Sequence, residues 1–345
     1  MQDQTIEHQP SCEDELNIGL LTVAQAQARI LDGVTPVTDA ETVPVREALG
    51  RVLAEDIISP IDVPSHTNSA MDGYAVRADD LPAEGVSEFA VPGTSWAGRP
   101  WLKPIEPGQA VQIMTGGMMP EGADTVVMQE QVEREADTVR IGSGHRCGQN
   151  VRRAGEDLAT GQQVFSAGRL LSAADIGVLA SLGLAEARVY RRLKVAFFST
   201  GDELRAVGEP LGPGEIHDSN RYTLYGMLEK LGVEIIDLGV VRDRRELIEQ
   251  AFREAAASAD AIITSGGVSV GEADFVKETL EKLGSMSFWK IAMKPGRPVT
   301  YGHINDAVFF GLPGNPVSVM VTFFVFVRQA LWKMSGATGD SDVLT

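Results

Sequence analysis

The sequence predicts a multidomain α/β protein: an open, largely parallel sheet in the C-terminal half, a mostly β insertion ahead of it, and a helical linker joining the two. Three observations lead there. After Tyr190, short apolar runs alternate with helix-length stretches, the rhythm of strands connected by crossover helices. Over residues 74–139 the apolar runs are brief and are broken by Gly and Pro, as in a small β domain. Helical periodicity flanks that stretch on both sides, so the chain leaves the linker and later returns to it.

Residues 1–15 are polar and acidic and read as a disordered lead-in. Apolar residues at helical spacing follow over 21–31, with Thr22 placed to cap the helix, and a second helix is expected over 44–55. The stretch SPIDVPSHTNSAMDGYAV then changes to Pro, Ser and Asn and marks a boundary, with Asp72-Gly73 as a hairpin signal. A helix over 171–182, capped by Ser172, returns the chain to the linker. Strands are then expected over 194–198, 233–238, 261–263, 289–293 and 307–310, with helices over 221–231, 245–257, 275–283 and 316–332. The resulting division is a linker (16–60 with 158–190), an inserted β domain (61–157), an α/β domain (191–335) and a tail (336–345).

Composition narrows the function. The 345 residues carry a net charge of −18, which opposes binding to nucleic acid or to an anionic membrane surface. Cys12 and Cys147 are the only cysteines and have no metal-binding or disulfide-framework spacing, so a reducing cytoplasm is expected. The start is not that of a signal peptide. The most apolar run, 317–327, falls short of the roughly 18 residues of a membrane helix.

In an open parallel sheet ligands sit at the carboxyl ends of the strands. The loops expected there read STGDEL, VVRDR, TSGGVSVGEAD, KIAMKPGRP and GLPGNP. Gly266 and Gly267 allow close backbone approach to an anion, and an ordinary strand-to-helix turn explains them as well. Glu203, Asp243 and Asp274 supply carboxylates, while Lys290, Lys294 and Arg297 supply positive charge. Carboxylates near phosphate-binding lysines, without Cys or His, suggest a hard cation such as Mg²⁺. Arg152, Arg153, Glu156 and Asp157 are crowded together, as in a solvated ion-pair surface.

Taken in order and spacing, SAMDGYAV, IMTGGMMPEGADTVVMQE, RRAGEDL, FSTGDEL, TSGGVSVGEAD, MKPGRP and GLPGNPVS closely resemble the MoeA family of molybdopterin molybdenumtransferases, which includes the E domain of gephyrin. The resemblance implies a homodimer whose α/β domain is MogA-like. It implies insertion of molybdate into adenylylated molybdopterin with release of AMP, a requirement for Mg²⁺, and a MogA-like adenylyltransferase as supplier. The positions carried over are Asp72, Thr115, Asp157, Glu203, Asp243 and Asp274 as catalytic, with Arg152, Lys290, Lys294, Pro313 and Pro316 on the substrate, where Ser265, Gly266 and Gly267 of the glycine turn are also expected. Glu203, Asp243 and Asp274 are the expected metal ligands. Family members continue beyond the position of Thr345 into a C-terminal β domain that partly walls the cleft, and SGATGDSDVLT is too short and polar to replace it. The alternative expectation is a non-catalytic molybdopterin-binding or scaffold protein, the second role known for gephyrin.

Overall fold

A computed structural model describes residues 20–266, 275–296 and 298–339. The described residues form two compact units, one drawn from residues 1–55, 167–176 and 185–345, the other from residues 56–166 and 177–184.

The first unit is built on a six-stranded sheet. Its spatial order is Glu234–Val241, Lys194–Thr200, Ala261–Ser265, Ala307–Leu312, Pro298–Ile304 and Gly284–Lys290. The first four strands are parallel and the last two run antiparallel to their neighbours. Successive side chains on a strand face opposite ways, and both faces here are covered. Val195, Phe197, Ala261, Ile263 and Phe310 pack under the helices Val23–Gly33 and Ser219–Lys230 and the long helix starting at Pro316. Ala196, Phe198, Ile262 and Phe309 face the helices Arg245–Ser258 and Phe275–Leu283. Phe252 lies edge-on to both Phe198 and Phe309, at centroid distances of 5.1 and 5.5 Å.

The helix starts follow local signals. Thr22 and Gln25 form a reciprocal capping box, Asp218 caps Ser219–Lys230, and the Asn315 side chain accepts from the Val317 and Ser318 amides. Ser172 and Asp175 likewise satisfy each other's amides at the start of Ala173–Ser181.

Several expectations are corrected. No helix spans 44–55: Ala40–Pro44 is a strand paired antiparallel with Glu186–Tyr190, and only Val45–Ala48 forms a short 3₁₀ turn. Gly50, at φ 70°, ends that turn in a left-handed conformation. The strand expected over 289–293 lies earlier, at Gly284–Lys290, and forms part of an antiparallel edge. Its partner Pro298–Ile304 was not expected at all, and it turns into Ala307–Leu312 through Asn305, which sits at φ 52°. After Glu203, Leu204–Arg205 pairs as a short parallel strand with Ile216–His217. The apolar run near the C-terminus belongs to a continuous helix, Pro316–Met334, long and apolar enough to cross a membrane by length and composition. Val319, Phe323, Phe326, Val327 and Leu331 of that helix are buried in the core of the first unit.

The second unit holds a four-stranded sheet in the order Thr94–Ser95, Val111–Ile113, Gly73–Val76 and Thr125–Met128, and a three-stranded sheet in the order Val86–Ala90, Thr138–Gly142 and Val132–Glu135. Tyr74, Val76, Phe89, Val127, Val139 and Ile141 share one core between them. Asp72-Gly73 is not a hairpin turn. Gly73 opens a central strand where a Cβ would stand 2.1 Å from the Val127 carbonyl oxygen, so only glycine fits.

Candidate functional site

The carboxyl edge of the sheet gathers the loops singled out in the sequence. Lys194–Thr200, Glu234–Val241, Ala261–Ser265 and Ala307–Leu312 all end there because they are parallel. Gly284–Lys290 ends at the same edge, since its pairing with Pro298–Ile304 reverses direction twice relative to Ala307–Leu312. The loop 291–296 that carries Lys294 is therefore on this edge too. Its base is anchored by the Ala292 amide, which donates to the Leu21 carbonyl at 2.9 Å just before the first helix.

At one end of the edge, the loops carrying Glu203 and Asp243 are tied together by Asp202. The Asp243 amide donates to Asp202 Oδ1 at 3.3 Å, and the Arg242 guanidinium donates to the Asp202 carbonyl at 3.0 Å. A one-residue bulge precedes the second of these loops, where Gly239 sits at φ 80° and donates its amide to the Asp237 carboxylate. Glu203 and Asp243 are exposed, and the Glu203 carboxylate folds back over Gly201, where a Cβ would meet it at 2.5 Å.

In the middle of the edge, Ser265 is buried and its hydroxyl accepts from Asn220 Nδ2 at 2.9 Å. Gly266 follows at φ 91°. Its amide donates to the Leu312 carbonyl at 3.2 Å, so that N–H is committed to the fold and glycine serves here to let the backbone turn. Pro313 is buried and Pro316 occupies the first turn of the helix capped by Asn315. Lys294, exposed, stands toward the other end.

Adjacent strands are about 4.8 Å apart, so the ends of Glu234–Val241 and the start of Pro298–Ile304, four spacings away, are separated by roughly 19 Å. The carboxylates of Glu203 and Asp243 and the ammonium of Lys294 thus stand toward opposite ends of this edge. Gly267, Asp274 and Arg297 lie outside the described residues, and for Lys290 only the strand backbone is described. Among the described residues no three His, Cys, Asp or Glu side chains converge as a metal cluster. What Glu203 and Asp243 offer is oxygen ligands on neighbouring loops, a donor type that suits a hard cation.

The remaining expected residues belong to the second unit. The Thr115 amide and hydroxyl both donate to Asp72 Oδ1 at 2.7 Å. First the amide and then the hydroxyl hold the Asp72 carboxyl below the ordinary carboxylate value, overriding a small opposing effect of burial. Arg152 donates to Glu156 Oε1 at 3.0 Å and to Asp157 Oδ2 at 2.5 Å, an exposed ion-pair group as its composition suggested. The segment Asn68–Ser69 links the two clusters. Ser69 exchanges backbone hydrogen bonds with Gly116 and Gly117, and Asn68–Ser69 pairs with Val151–Arg152. Cys147, exposed, points its thiol at Asp124 Oδ2 at 3.7 Å.

Thr115→Val should raise the Asp72 pKa toward its ordinary value by removing one of two donors, as a carbon-detected NMR titration would show. A carboxyl with a depressed folded pKa adds stability above its unfolded value of about 3.9, lost as pH falls through the folded value, so the variant's disadvantage should fade in acid. An unchanged titration would mean that the hydroxyl contact is not made.

Sequence reading passed over Asn220 and Asp202. Asp202 adjoins Glu203 and Asn220 lies at the start of the helix Ser219–Lys230, but neither type announces a bridge between distant loops.

Comparison with known proteins matches the chain to two family descriptions: "MoeA N-terminal region (domain I and II)" over residues 21–183 and "Probable molybdopterin binding domain" over residues 196–333. It is 49% identical over 318 residues to the molybdopterin molybdenumtransferase of Haemophilus influenzae, covering 92% of this chain and 78% of that protein. It is 39% identical to the enzyme of that name from Nostoc, covering 95% of this chain and 75% of the relative. The crystal structure of the molybdopterin biosynthesis MoeA protein from Pyrococcus horikoshii superimposes with a TM-score of 0.79 at 34% identity, over 93% of this chain and 80% of that one. With this extent of identity and this shared fold, the chain belongs to the MoeA family of molybdopterin molybdenumtransferases.

Proposed function

We propose that this chain acts in molybdenum cofactor biosynthesis, placing molybdate into adenylylated molybdopterin with cleavage of the phosphoanhydride and release of AMP. The observation that carries the reading is the 49% identity across 92% of the chain to a molybdopterin molybdenumtransferase, in a fold that puts the matched loops on one sheet edge. Lys294 and Lys290 would attract the anionic substrates at one end. Glu203 and Asp243 would repel the phosphoanhydride by about 4 kcal/mol per 4 Å contact at an effective dielectric near 20, so a cation is needed between them. Mg²⁺, held by Glu203, Asp243 and Asp274, would supply that charge compensation. Asp72, held ionised by Thr115, and the Arg152–Asp157 pair complete the set of candidate residues.

Within this reading the chain divides into a linker (16–60 with 158–190), an inserted β domain (61–157) and a MogA-like domain (191–335), the protein works in the cytoplasm, and a MogA-like adenylyltransferase delivers the substrate. The chain also forms a homodimer. Val317, Met320 and Phe324 recur at i, i+3 and i+7 on the long helix and are 58%, 44% and 45% exposed. Tyr222 and Tyr225, also exposed, lie on the helix packed beside it. Apolar side chains left in water at helical spacing suit a partner surface. Phe324→Asp should shift the protein from dimer to monomer by light scattering after size exclusion, and a parent that runs as a monomer would remove this part of the proposal.

The test of function is AMP release from adenylylated molybdopterin, with and without molybdate, at fixed Mg²⁺. Molybdate-dependent release is the expected result. Binding of molybdopterin without any release would favour the scaffold reading instead.

A further inference from the structure

We propose that Asn220 is a positioning residue of this site, holding together the turn at Gly266 and the GLPGNP loop that must both be in place for substrate to bind; the inference rests on the function proposed above. Its side-chain amide donates twice, to Ser265 Oγ at 2.9 Å and to the Gly314 carbonyl at 2.7 Å. Those acceptors are about 50 residues apart in sequence, one at the end of the strand Ala261–Ser265 and the other on the loop after Ala307–Leu312. The Gly314 carbonyl can only accept, which assigns Nδ2 to this side and leaves Oδ1 on the other. A Cβ on Gly314 would lie 3.9 Å from the Gly266 Cα, so the two loops meet closely where Asn220 joins them.

The surroundings of the bridge point to a ligand. Asn220 Oδ1 is buried without a hydrogen-bond partner among the described residues, as are Ser199 Oγ and Asp218 Oδ2. Ser199 is in register with Ser265 on the neighbouring strand, so their side chains share a face, and Asp218 caps the helix on which Asn220 sits. Buried polar atoms are nearly always paired, and those left open beside a binding loop are acceptors and hydroxyls ready for a donor. A substrate presenting hydroxyl or N–H groups satisfies that arrangement, with Asn220 fixing the loops around it.

Two variants test the bridge. Asn220→Ala removes it, and Asn220→Asp keeps its shape and acceptor but has no N–H for the Gly314 carbonyl. Both should raise the KM for adenylylated molybdopterin and the Kd for AMP, measured by calorimetry, at least tenfold. At saturating substrate kcat should stay within about threefold of the parent. A merely structural role would instead lower the melting temperature without dividing KM from kcat in this way. If the Ala variant does not fold, the isosteric Asp variant carries the test. A parent-like KM in the Asp variant would overturn the bridge, and so would a kcat loss at unchanged KM in either variant. A parent that releases no AMP would instead overturn the functional reading, and this inference with it.

Discussion

Gly266→Ala is expected to weaken substrate binding at least tenfold and to destabilise the first unit by about 1–3 kcal/mol, the usual cost of forcing a side chain into a sparsely populated backbone region. Two effects act together there. The residue sits at φ 91°, which L side chains rarely adopt, and an added Cβ would stand 2.7 Å from the Thr200 carbonyl oxygen. That neighbour is backbone at the end of the strand Lys194–Thr200, so relief requires moving the strand end or the turn. Either motion disturbs the Gly266 amide bond to Leu312 and hence the spacing of the loops. Urea unfolding and AMP calorimetry check the two effects separately. Parent-like affinity with reduced stability would show that the turn serves the fold and not the site. A loss of affinity above 1.4 kcal/mol, one decade, would place it in both.

The second large effect should separate the two ends of the sheet edge. Lys294→Ala removes a cation from the basic end, and as a charge-assisted contact its loss costs on the order of 1.5–3 kcal/mol, at least tenfold in affinity. Because Lys294 is exposed, the difference should shrink as salt is raised, with the Debye length falling from about 10 Å at 0.1 M to 3 Å at 1 M. Asp243→Asn keeps the size of the side chain and removes a charge from the acidic end. It should lower single-turnover AMP release more than affinity, and excess Mg²⁺ should recover part of the loss. Exposed loop substitutions of this kind rarely shift stability beyond about 0.5 kcal/mol, so both variants should melt close to the parent. If Lys294→Ala binds like the parent at low salt, or Asp243→Asn loses affinity while turnover per bound substrate is unchanged, the division of roles along the edge is wrong.

The elements that could be read from the sequence are those whose decisive partners are local. Thr22 and Ser172 cap helices through amides three residues away, and the apolar runs at 194–198, 261–263 and 307–310 announce strands buried on both faces. The chemistry of the loops was legible for the same reason: the glycines, carboxylates and lysines that follow each strand are contiguous with it. Parallel pairing then carries them to one edge, whatever the details of packing.

Other features have their cause far along the chain. Ala40–Pro44 reads locally as the approach to a helix, but Glu186–Tyr190, more than 140 residues away, pairs with it and makes it a strand. Pro298–Ile304 looks like a broken loop until Ala307–Leu312 and Gly284–Lys290 flank it on both sides. Asn220 appears in sequence as one more polar residue at a helix start, and its meaning depends on Ser265 and Gly314, which only the folded sheet brings within reach. The sequence by itself determined the central parallel strands with their crossover helices, several caps and the chemical content of each loop, because those rest on contacts within one turn or on a contiguous apolar run. The tertiary structure alone decided the antiparallel edge, the placement of the Glu203 and Asp243 loops and the Lys294 loop toward opposite ends of the sheet, and the side chains that tie the loops together, because backbone hydrogen bonding and burial between distant segments outweigh local propensity of well under 1 kcal/mol per residue.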